Sequence, residues 1–229
     1  MKIINCDQKS SRWLAAKCGR VGASSMSKIV THTGNATANA ARETFKSELV
    51  WERLTGDSYP RYVSKPMDRG NALEDQARAW FELETGLDVR QVGFCMHDSE
   101  QFGVSPDGLI NPRQGLEIKT ATECNHIRKL LDDCIPAENM IQIQAGLWIC
   151  DCDLWHFVLY TDDPRIPNMY KTVERIPAII DALAEHVPAF CMQVDALERQ
   201  LRDRYGLESR KVVNLDAISG DWCPFGGGD

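Results

Sequence analysis

Four residues in the middle third of the chain are of the types that a metal-dependent phosphodiesterase needs: Glu74, Asp107, Glu117 and Lys119. Carboxylates can hold a divalent ion, and a lysine can orient the attacking water or offset the charge that develops on the phosphate. Oxygen ligands favour Mg²⁺ or Mn²⁺ over zinc. The residues themselves leave open whether one ion or two would bind.

Glu117 and Lys119 are two positions apart in a run that predicts a strand over 115–121, so both side chains should project from one face. A turn predicted at 111–114 joins this strand to the one before it. In that register Asp107 lies about one residue from Glu117 across the ladder, close enough for two carboxylates to share an ion. A Glu-x-Lys pair alone is more often a surface ion pair, so the prediction depends on the neighbouring acids.

The surrounding sequence predicts an α/β fold, a small mixed β-sheet flanked by helices. Apolar residues recur at helical spacing in the segments that we predict as helices, at 7–19, 26–30, 39–55, 69–85, 123–133, 137–150 and 174–204, the last interrupted at Pro177 and Pro188. Strands are predicted at 88–96, 102–110, 115–121 and 153–161. The central order of helix, three strands, helix and strand builds a sheet with helices packed on it.

Composition narrows the class of protein. With 229 residues, of which 43% are hydrophobic, the chain is long enough for one domain with a real core. No run approaches the ~18 apolar residues of a membrane span, and the first residues lack the apolar stretch of a secretory signal. We therefore expect a soluble cytoplasmic protein without membrane contact. The net charge of −7 counts mildly against a nucleic-acid binder, but a metal nuclease offsets its acidic cluster with ions.

The nine cysteines do not form a recognisable framework. Cys150 and Cys152 are the one close pair, and the sequence contains no Cys-x-x-Cys. Because the count is odd and several cysteines lie in apolar segments, we expect reduced and mostly buried thiols.

Several motifs taken together resemble the phage lambda-type exonucleases, within the RecB-like, restriction-endonuclease-like nuclease group. The matching residues span about 11–160 and are Trp13…Lys17-x-Gly19…Ala23-Ser24, Gly70-x-x-x-Glu74-x-x-Ala77, Ser105-Pro106-Asp107-Gly108, Leu116-Glu117-Ile118-Lys119, and Gln142-x-Gln144 before Trp148. Any one motif is weak, whereas the last four together are specific. The resemblance implies one nuclease domain over 1–229, with an αβββαβ restriction-endonuclease-like core at about 69–161 and added N- and C-terminal helices.

The resemblance also implies an activity, a Mg²⁺-dependent 5′→3′ exonuclease that degrades one strand of linear double-stranded DNA. It would release 5′-mononucleotides and leave a 3′ overhang for phage homologous recombination by strand annealing, in a bacterial host cell. A ring-shaped homotrimer and a single-strand annealing protein are the implied partners. Subunit or partner contacts would be sought on the helices at 174–204, which ordinary packing explains equally well, and the tail at 224–229 should be frayed.

Site roles follow from the same resemblance. The implied active-site residues are Glu74, Asp107 and Glu117 as metal ligands, the Ile118 carbonyl as a further candidate ligand, Lys119 as the catalytic lysine and Gln142 as the active-site glutamine.

A pocket for the 5′-terminal phosphate is implied at Ser24, Ser105 and Lys17, within N-terminal helices at about 7–55. Ser24 lies near a predicted helix start, where free N–H groups attract phosphate. Lys17 stands where the best-known family member has arginine, and lysine binds phosphate as a point charge without a bidentate fork. Arg20 lies nearby and could compensate.

Two other interpretations stay open. A structure-specific or site-specific endonuclease could use the same core, and a non-catalytic DNA-end-binding module could retain the fold with a decayed site. An iron–sulfur nuclease is disfavoured because that cluster needs four suitably placed cysteines. Candidates for a strand-separating wedge are Trp13, Tyr59 and Tyr62.

Overall fold

The structure is a computed structural model that describes residues 1–60, 65–111 and 113–208, with the side chains of 65–71 excepted. The candidate wedge Tyr62 and the tail at 224–229 lie outside the described residues. The α-helices in the described part are α1 Ser11–Lys17, α2 Ala40–Thr55, α3 Lys65–Thr85, α4 Glu123–Asp132, α5 Ala137–Ile149 and α6 Pro177–Tyr205, with a 3₁₀ helix at Ala23–Lys28. The strands are β1 Lys2–Ile4, β2 Val21–Gly22, β3 Phe94–Met96, β4 Phe102–Val104, β5 Gly108–Ile110, β6 Gln114–Thr120, β7 Leu154–Tyr160 and β8 Met169–Glu174.

Within the described residues the strands form two four-stranded sheets, in the orders β1-β3-β4-β2 and β5-β6-β7-β8. Each sheet is mixed, because β2 runs parallel to β4 and β6 runs parallel to β7 while the other neighbours are antiparallel. The architecture is α/β, as predicted, but the strands are divided between two sheets instead of one.

The predicted strand at 102–110 divides into β4 and β5, which belong to different sheets. Pro106 lies at the break, where its missing N–H cannot serve a ladder. The predicted strand at 88–96 is likewise shortened to its last three residues, and Arg90 makes an isolated bridge with Leu109 of β5.

The β5–β6 hairpin differs from the predicted register by one residue. Gly108 pairs with Leu116, not with Glu117, because β6 already begins at Gln114, which also pairs with Leu154 of β7. The shorter turn brings Asp107 level with Glu117, closer than the predicted register would.

The C-terminal prediction was wrong in two places. Residues 169–174 form β8, an edge strand, so the helix begins only at Pro177. A proline at the first helical position costs nothing, since its missing N–H would have had no partner there. Pro188 does not interrupt α6, whose buried face, including Leu183 and Val187, continues on both sides of it. Packing of that face outweighs the loss of one backbone hydrogen bond.

The strand that carries Glu117 and Lys119 is packed on both faces. Leu116 and Ile118 pack with Ala77 and Phe81 of α3 on one side. On the other side α5 lies against β7, where Gly146 sits under the fully buried ring of Trp155 and a Cβ would meet the ring at 2.6 Å. β6 therefore lies between two helices, with α3 on one face of the sheet and α5 on the other.

Every cysteine that the structure describes is free of a disulfide. Four of them are buried, whereas Cys124 and Cys134 are exposed, so burial is less general than predicted. No helix in the described residues is long and apolar enough to cross a bilayer.

Candidate active site

Asp107 is fixed directly against the strand that carries Glu117. Its Oδ2 accepts a hydrogen bond from the backbone N–H of Ile118 at 2.6 Å, and its own N–H donates to the carbonyl of Leu116 at 3.0 Å. The carbonyl of a strand residue points to the same edge as its N–H. The Ile118 carbonyl therefore faces the edge where the Asp107 carboxylate lies, as its implied role requires.

Glu117 is 1% exposed and is held from two sides. Its Oε1 accepts a hydrogen bond from Gln142 Nε2 at 2.7 Å and also binds the ammonium of Lys119. The prediction that Glu117 and Lys119 share a face is correct, because they contact each other. Gln142 reaches the pair from α5, so the glutamine contacts the Glu117 carboxylate instead of lying on an unrelated polar face.

Glu74 approaches from α3 and is held by a residue four positions along the same helix. Arg78 donates from one terminal nitrogen to Glu74 Oε1 at 3.0 Å and from the other to Asp75 Oδ1 at 2.7 Å. Its Nε donates to the backbone carbonyl of Asp107 at 3.1 Å. Glu74 and Asp107 are therefore joined through one guanidinium.

The electrostatics of the site are dominated by two neighbouring acids. Burial raises the pKa of the Asp107 carboxyl well above its usual range, and the negative charge of Glu117 raises it further. Burial alone would lower the pKa of Lys119, but the charges of Glu117 and Asp107 outweigh it and raise that pKa. The lysine therefore stays charged, and one ammonium faces more than one carboxylate.

The donor set fits a hard divalent ion, since it consists of carboxylate oxygens and a backbone carbonyl. In the parts of the chain that the structure describes, no three Asp, Glu, His or Cys side chains converge closely enough to form a ready cage. Glu117 is instead paired with Lys119, and Glu74 with Arg78. Burial and the neighbouring Glu117 disfavour the charged form of Asp107 by raising its pKa, and a bound ion would favour that form.

The candidates for end binding are brought together only in part. Trp13 Nε1 donates to Ser105 Oγ at 2.9 Å and to the carbonyl of Gly93 at 3.1 Å. The ammonium of Lys17 lies 3.8 Å from the centroid of the Trp13 ring. Lys17 and Ser105 therefore both contact Trp13, the lysine over the ring and the serine at the indole N–H. This engagement favours a structural role for Trp13 over that of a strand-separating wedge.

Arg20 and Ser24 lie in different surroundings. Arg20 donates to the carbonyls of Ala16 at 3.0 Å and Glu100 at 2.7 Å, so it closes the C-terminal end of α1. Ser24 is exposed on the 3₁₀ helix. Tyr59, the other described wedge candidate, is 38% exposed and packs edge-on against another aromatic side chain.

Residues 12–153 match the YqaJ-like viral recombinase domain. The chain belongs to this family. The resemblance to lambda-type exonucleases is thereby confirmed, and the family implies a nuclease role in recombination.

Two solved exonucleases are similar to this YqaJ-like chain. The alkaline exonuclease LHK-Exo from Laribacter hongkongensis has 30% sequence identity and a TM-score of 0.78, over 86% of this chain and 98% of that chain. The same enzyme has been solved in complex with dAMP. A phage-related exonuclease from Haemophilus somnus 129PT has 20% identity and a TM-score of 0.64, over 80% of this chain and 96% of that chain, which shows a shared fold alone. The curated proteins include no significant match.

In this YqaJ-like domain, sequence reasoning missed two features of the site. These are Arg78 and the loop at 5–9 that follows β1. The loop at 5–9 and α3 enclose a cleft of about 530 Å³ that opens on Glu74, Asp107 and Arg78. The spacing of Arg78 and Glu74, four apart on a helix, could have indicated their pairing. Nothing local indicates that Arg78 also reaches Asp107.

Proposed function

We propose that this chain is a Mg²⁺-dependent 5′→3′ exonuclease that degrades one strand of linear double-stranded DNA to 5′-mononucleotides and leaves a 3′ overhang for strand annealing. The observation that carries the proposal is the pair of neighbouring carboxylates, Asp107 and Glu117, with Lys119 bound to Glu117. Two acids and a lysine on one hairpin supply the charges that phosphodiester hydrolysis requires. The similar alkaline exonuclease was solved with dAMP, which supports mononucleotides as products.

Asp107, Glu117 and Glu74, with the Ile118 carbonyl, are the residues that would hold the ion. A bound Mg²⁺ supplies Lewis acidity toward the phosphate and a water of lowered pKa, and Mn²⁺ would substitute. One ion or two would fit the same donors.

Lys119 can serve the reaction because it is charged and held beside the acids. Its ammonium is bound to Glu117. It would therefore lie beside the negative charge that develops on a phosphate held by the metal at these acids. Gln142 keeps one oxygen of Glu117 in place through its amide N–H, which fixes the direction in which the other oxygen points. The burial of Glu117 limits competing water.

We further propose that the 5′-terminal phosphate binds near Lys17 and Ser105, which meet at Trp13, with Ser24 as a third contact. Arg20 is a weaker candidate because its guanidinium already donates to three backbone carbonyls. Since the chain carries a net charge of −7, attraction to DNA has to be local, and binding should weaken with salt.

The biological setting is part of the proposal. A phage or prophage gene expressed in the bacterial cytoplasm, a homotrimeric ring that threads DNA and a single-strand annealing protein on the exposed 3′ strand would fit a recombination nuclease. The exposed face of α6 is the surface that we would test for contacts with either partner.

The test uses linear duplexes, labelled at one end and carrying either a 5′-phosphate or a 5′-hydroxyl, with Mg²⁺ and with covalently closed circular DNA as the control. Release of mononucleotides from the 5′-phosphorylated linear duplex, with the circle intact, is the expected result. Cleavage of the circle would support an endonuclease on this core. Binding without hydrolysis with any divalent ion would support the end-binding module.

A further inference from the structure

Beside the candidate metal site lies a buried arginine that the proposed chemistry does not use. The side chain of Arg78 is 8% exposed, although it is charged and lies on a helix with one solvent-facing side. Burying a guanidinium is costly unless its N–H groups are satisfied. Arg78 therefore has to be explained by its partners.

Two of those partners belong to proposed ligands, and the third is the neighbouring Asp75. Arg78 Nε donates to the Asp107 carbonyl at 3.1 Å, and a terminal nitrogen donates to Glu74 Oε1 at 3.0 Å. The other terminal nitrogen donates to Asp75 Oδ1 at 2.7 Å. The planar, rigid fork of arginine makes these three bonds from three separate nitrogens, whereas a lysine has to donate from a single nitrogen.

The contacts add a polar link between α3 and the β5–β6 hairpin, which already pack together through apolar side chains. Asp107 is already fixed on β6 through Leu116 and Ile118, whereas Glu74 comes from α3. The Glu74 carboxylate is 24% exposed and is bound by the guanidinium of Arg78. The bond from Arg78 to the Asp107 carbonyl couples the helix to the hairpin at the position of the site.

An ordinary helix ion pair is the simpler explanation. A Glu-Arg pair four residues apart stabilises an exposed helix slightly and does nothing more. That explanation accounts for the bond to Glu74. It does not account for the burial of Arg78 or for its bond to a carbonyl on another element.

We propose that Arg78 is a positioning residue for the metal site, which holds Glu74 and the main chain of Asp107 at the separation that ion binding needs. The proposal rests on the proposed function, because it assigns to Arg78 the orientation of ligands named there. Partners that orient metal ligands typically change metal affinity by about 10–100-fold when they are replaced.

The test replaces Arg78 by lysine, which keeps the charge and removes the fork. Mn²⁺ binding to the DNA-free protein is measured by calorimetry, alongside thermal unfolding. We expect a Kd for Mn²⁺ about tenfold higher in Arg78→Lys. In hydrolysis assays the half-saturating Mn²⁺ concentration should rise similarly, while the rate at saturating Mn²⁺ recovers most of its wild-type value.

Arg175→Lys is the matched control. Arg175 also uses its guanidinium on backbone carbonyls, those of Leu147 at 2.8 Å and Cys152 at 2.9 Å, but it does not line the cleft at Glu74. A loss of stability without a change in Mn²⁺ affinity is expected there. An Arg78→Lys protein that is folded and binds Mn²⁺ within about twofold of wild type would overturn the proposal.

A second variant keeps the proposal testable if Arg78→Lys does not fold. Asp75 is 88% exposed, and Asp75→Asn removes the charge of one anchor of Arg78 without opening the core. We expect Mn²⁺ binding to weaken about two- to threefold, beyond any effect of Glu84→Gln, which removes an equal charge from the same helix. Equal effects of the two variants would argue against positioning. Failure of wild type to bind Mn²⁺ or to hydrolyse DNA would instead contradict the proposed function.

Discussion

The region around Glu117 and the region around Trp13 are both candidate parts of one site, but their residues are connected in different ways. Around Glu117 the candidates contact one another directly, since Lys119 and Gln142 bind Glu117 and the backbone next to it binds Asp107. Around Trp13 the connection is indirect. Lys17 and Ser105 meet only through the indole.

The difference lies in how each region is built. Glu117 and Lys119 are two apart on a strand, and Asp107 is fixed by the hairpin that this strand forms. Strand alternation and one short turn therefore determine the arrangement. Lys17, Ser24 and Ser105 come from a helix end, a 3₁₀ helix and a strand break, so their arrangement depends on how three elements pack. The metal region should consequently tolerate less variation than the end-binding region.

The largest expected effect tests the metal region. Lys119→Ala should reduce hydrolysis by about 10²–10³-fold or more, because it removes the charge that faces the phosphate. Binding of duplex DNA, measured by anisotropy with Ca²⁺ in place of Mg²⁺, should remain close to wild type.

Lys171→Ala is the control for this variant. Lys171 is also a strand lysine in an ion pair, in its case with Asp133, and its side chain is 30% exposed against 31% for Lys119. Its removal should leave hydrolysis within about twofold of wild type. Near-normal turnover by Lys119→Ala would contradict a catalytic role for this lysine. It would also mean that the metal region tolerates substitution as well as the end-binding region does.

A smaller effect should separate the residues of the end-binding region. Lys17→Ala should reduce the preference for 5′-phosphate over 5′-hydroxyl duplexes by about tenfold, as expected for the loss of one charge-assisted contact. Arg20→Ala should instead lower the free energy of unfolding by about 1–2 kcal/mol, because the carbonyls of Ala16 and Glu100 lose their donor.

The measurement is the ratio of hydrolysis rates on the two duplexes, with a denaturant titration for each variant. If Arg20→Ala removes the end preference and Lys17→Ala keeps it, the phosphate is bound by Arg20, and the pocket lies at the end of α1 instead of on the indole.

What the sequence could predict follows the same division. The shared face of Glu117 and Lys119 follows from the period of a strand, and it is confirmed by their contact. The register of the hairpin was missed by one residue, because it depends on where β6 begins, and pairing with β7 decides that. The bond between Trp13 and Ser105 joins residues 92 positions apart, and no local pattern indicates it.

The break at Pro106 shows an intermediate case. A proline within a predicted strand indicates an edge or an interruption, and this signal was available at 102–110. That β4 and β5 then join different sheets is a matter of tertiary packing. The consequence for the site is direct, since the break places Ser105 on the side of Trp13 and Asp107 on the side of Glu117.

The smallest expected effect concerns the stability of the metal-free protein, which ionisation of Asp107 should lower. The folded pKa of Asp107 is raised by burial and by Glu117. A raised folded pKa means that the contribution of this group to stability is complete below the unfolded pKa of about 3.9 and is lost as the pH rises through the folded value. Ionised Asp107 should therefore destabilise the metal-free protein at pH 8.

Asp107→Asn removes that charge and keeps an oxygen that can accept from the Ile118 N–H. In EDTA at pH 8 we expect the variant to be more stable than wild type by about 1 kcal/mol, or about 2–4 °C in Tm for a chain of this length, and the gain should shrink toward pH 4. Excess Mn²⁺ should reverse the order, because only wild type gains stability from binding the ion. A variant that melts below wild type in EDTA at pH 8 would mean that Lys119 already neutralises Asp107. The charges of the region would then be balanced without a metal.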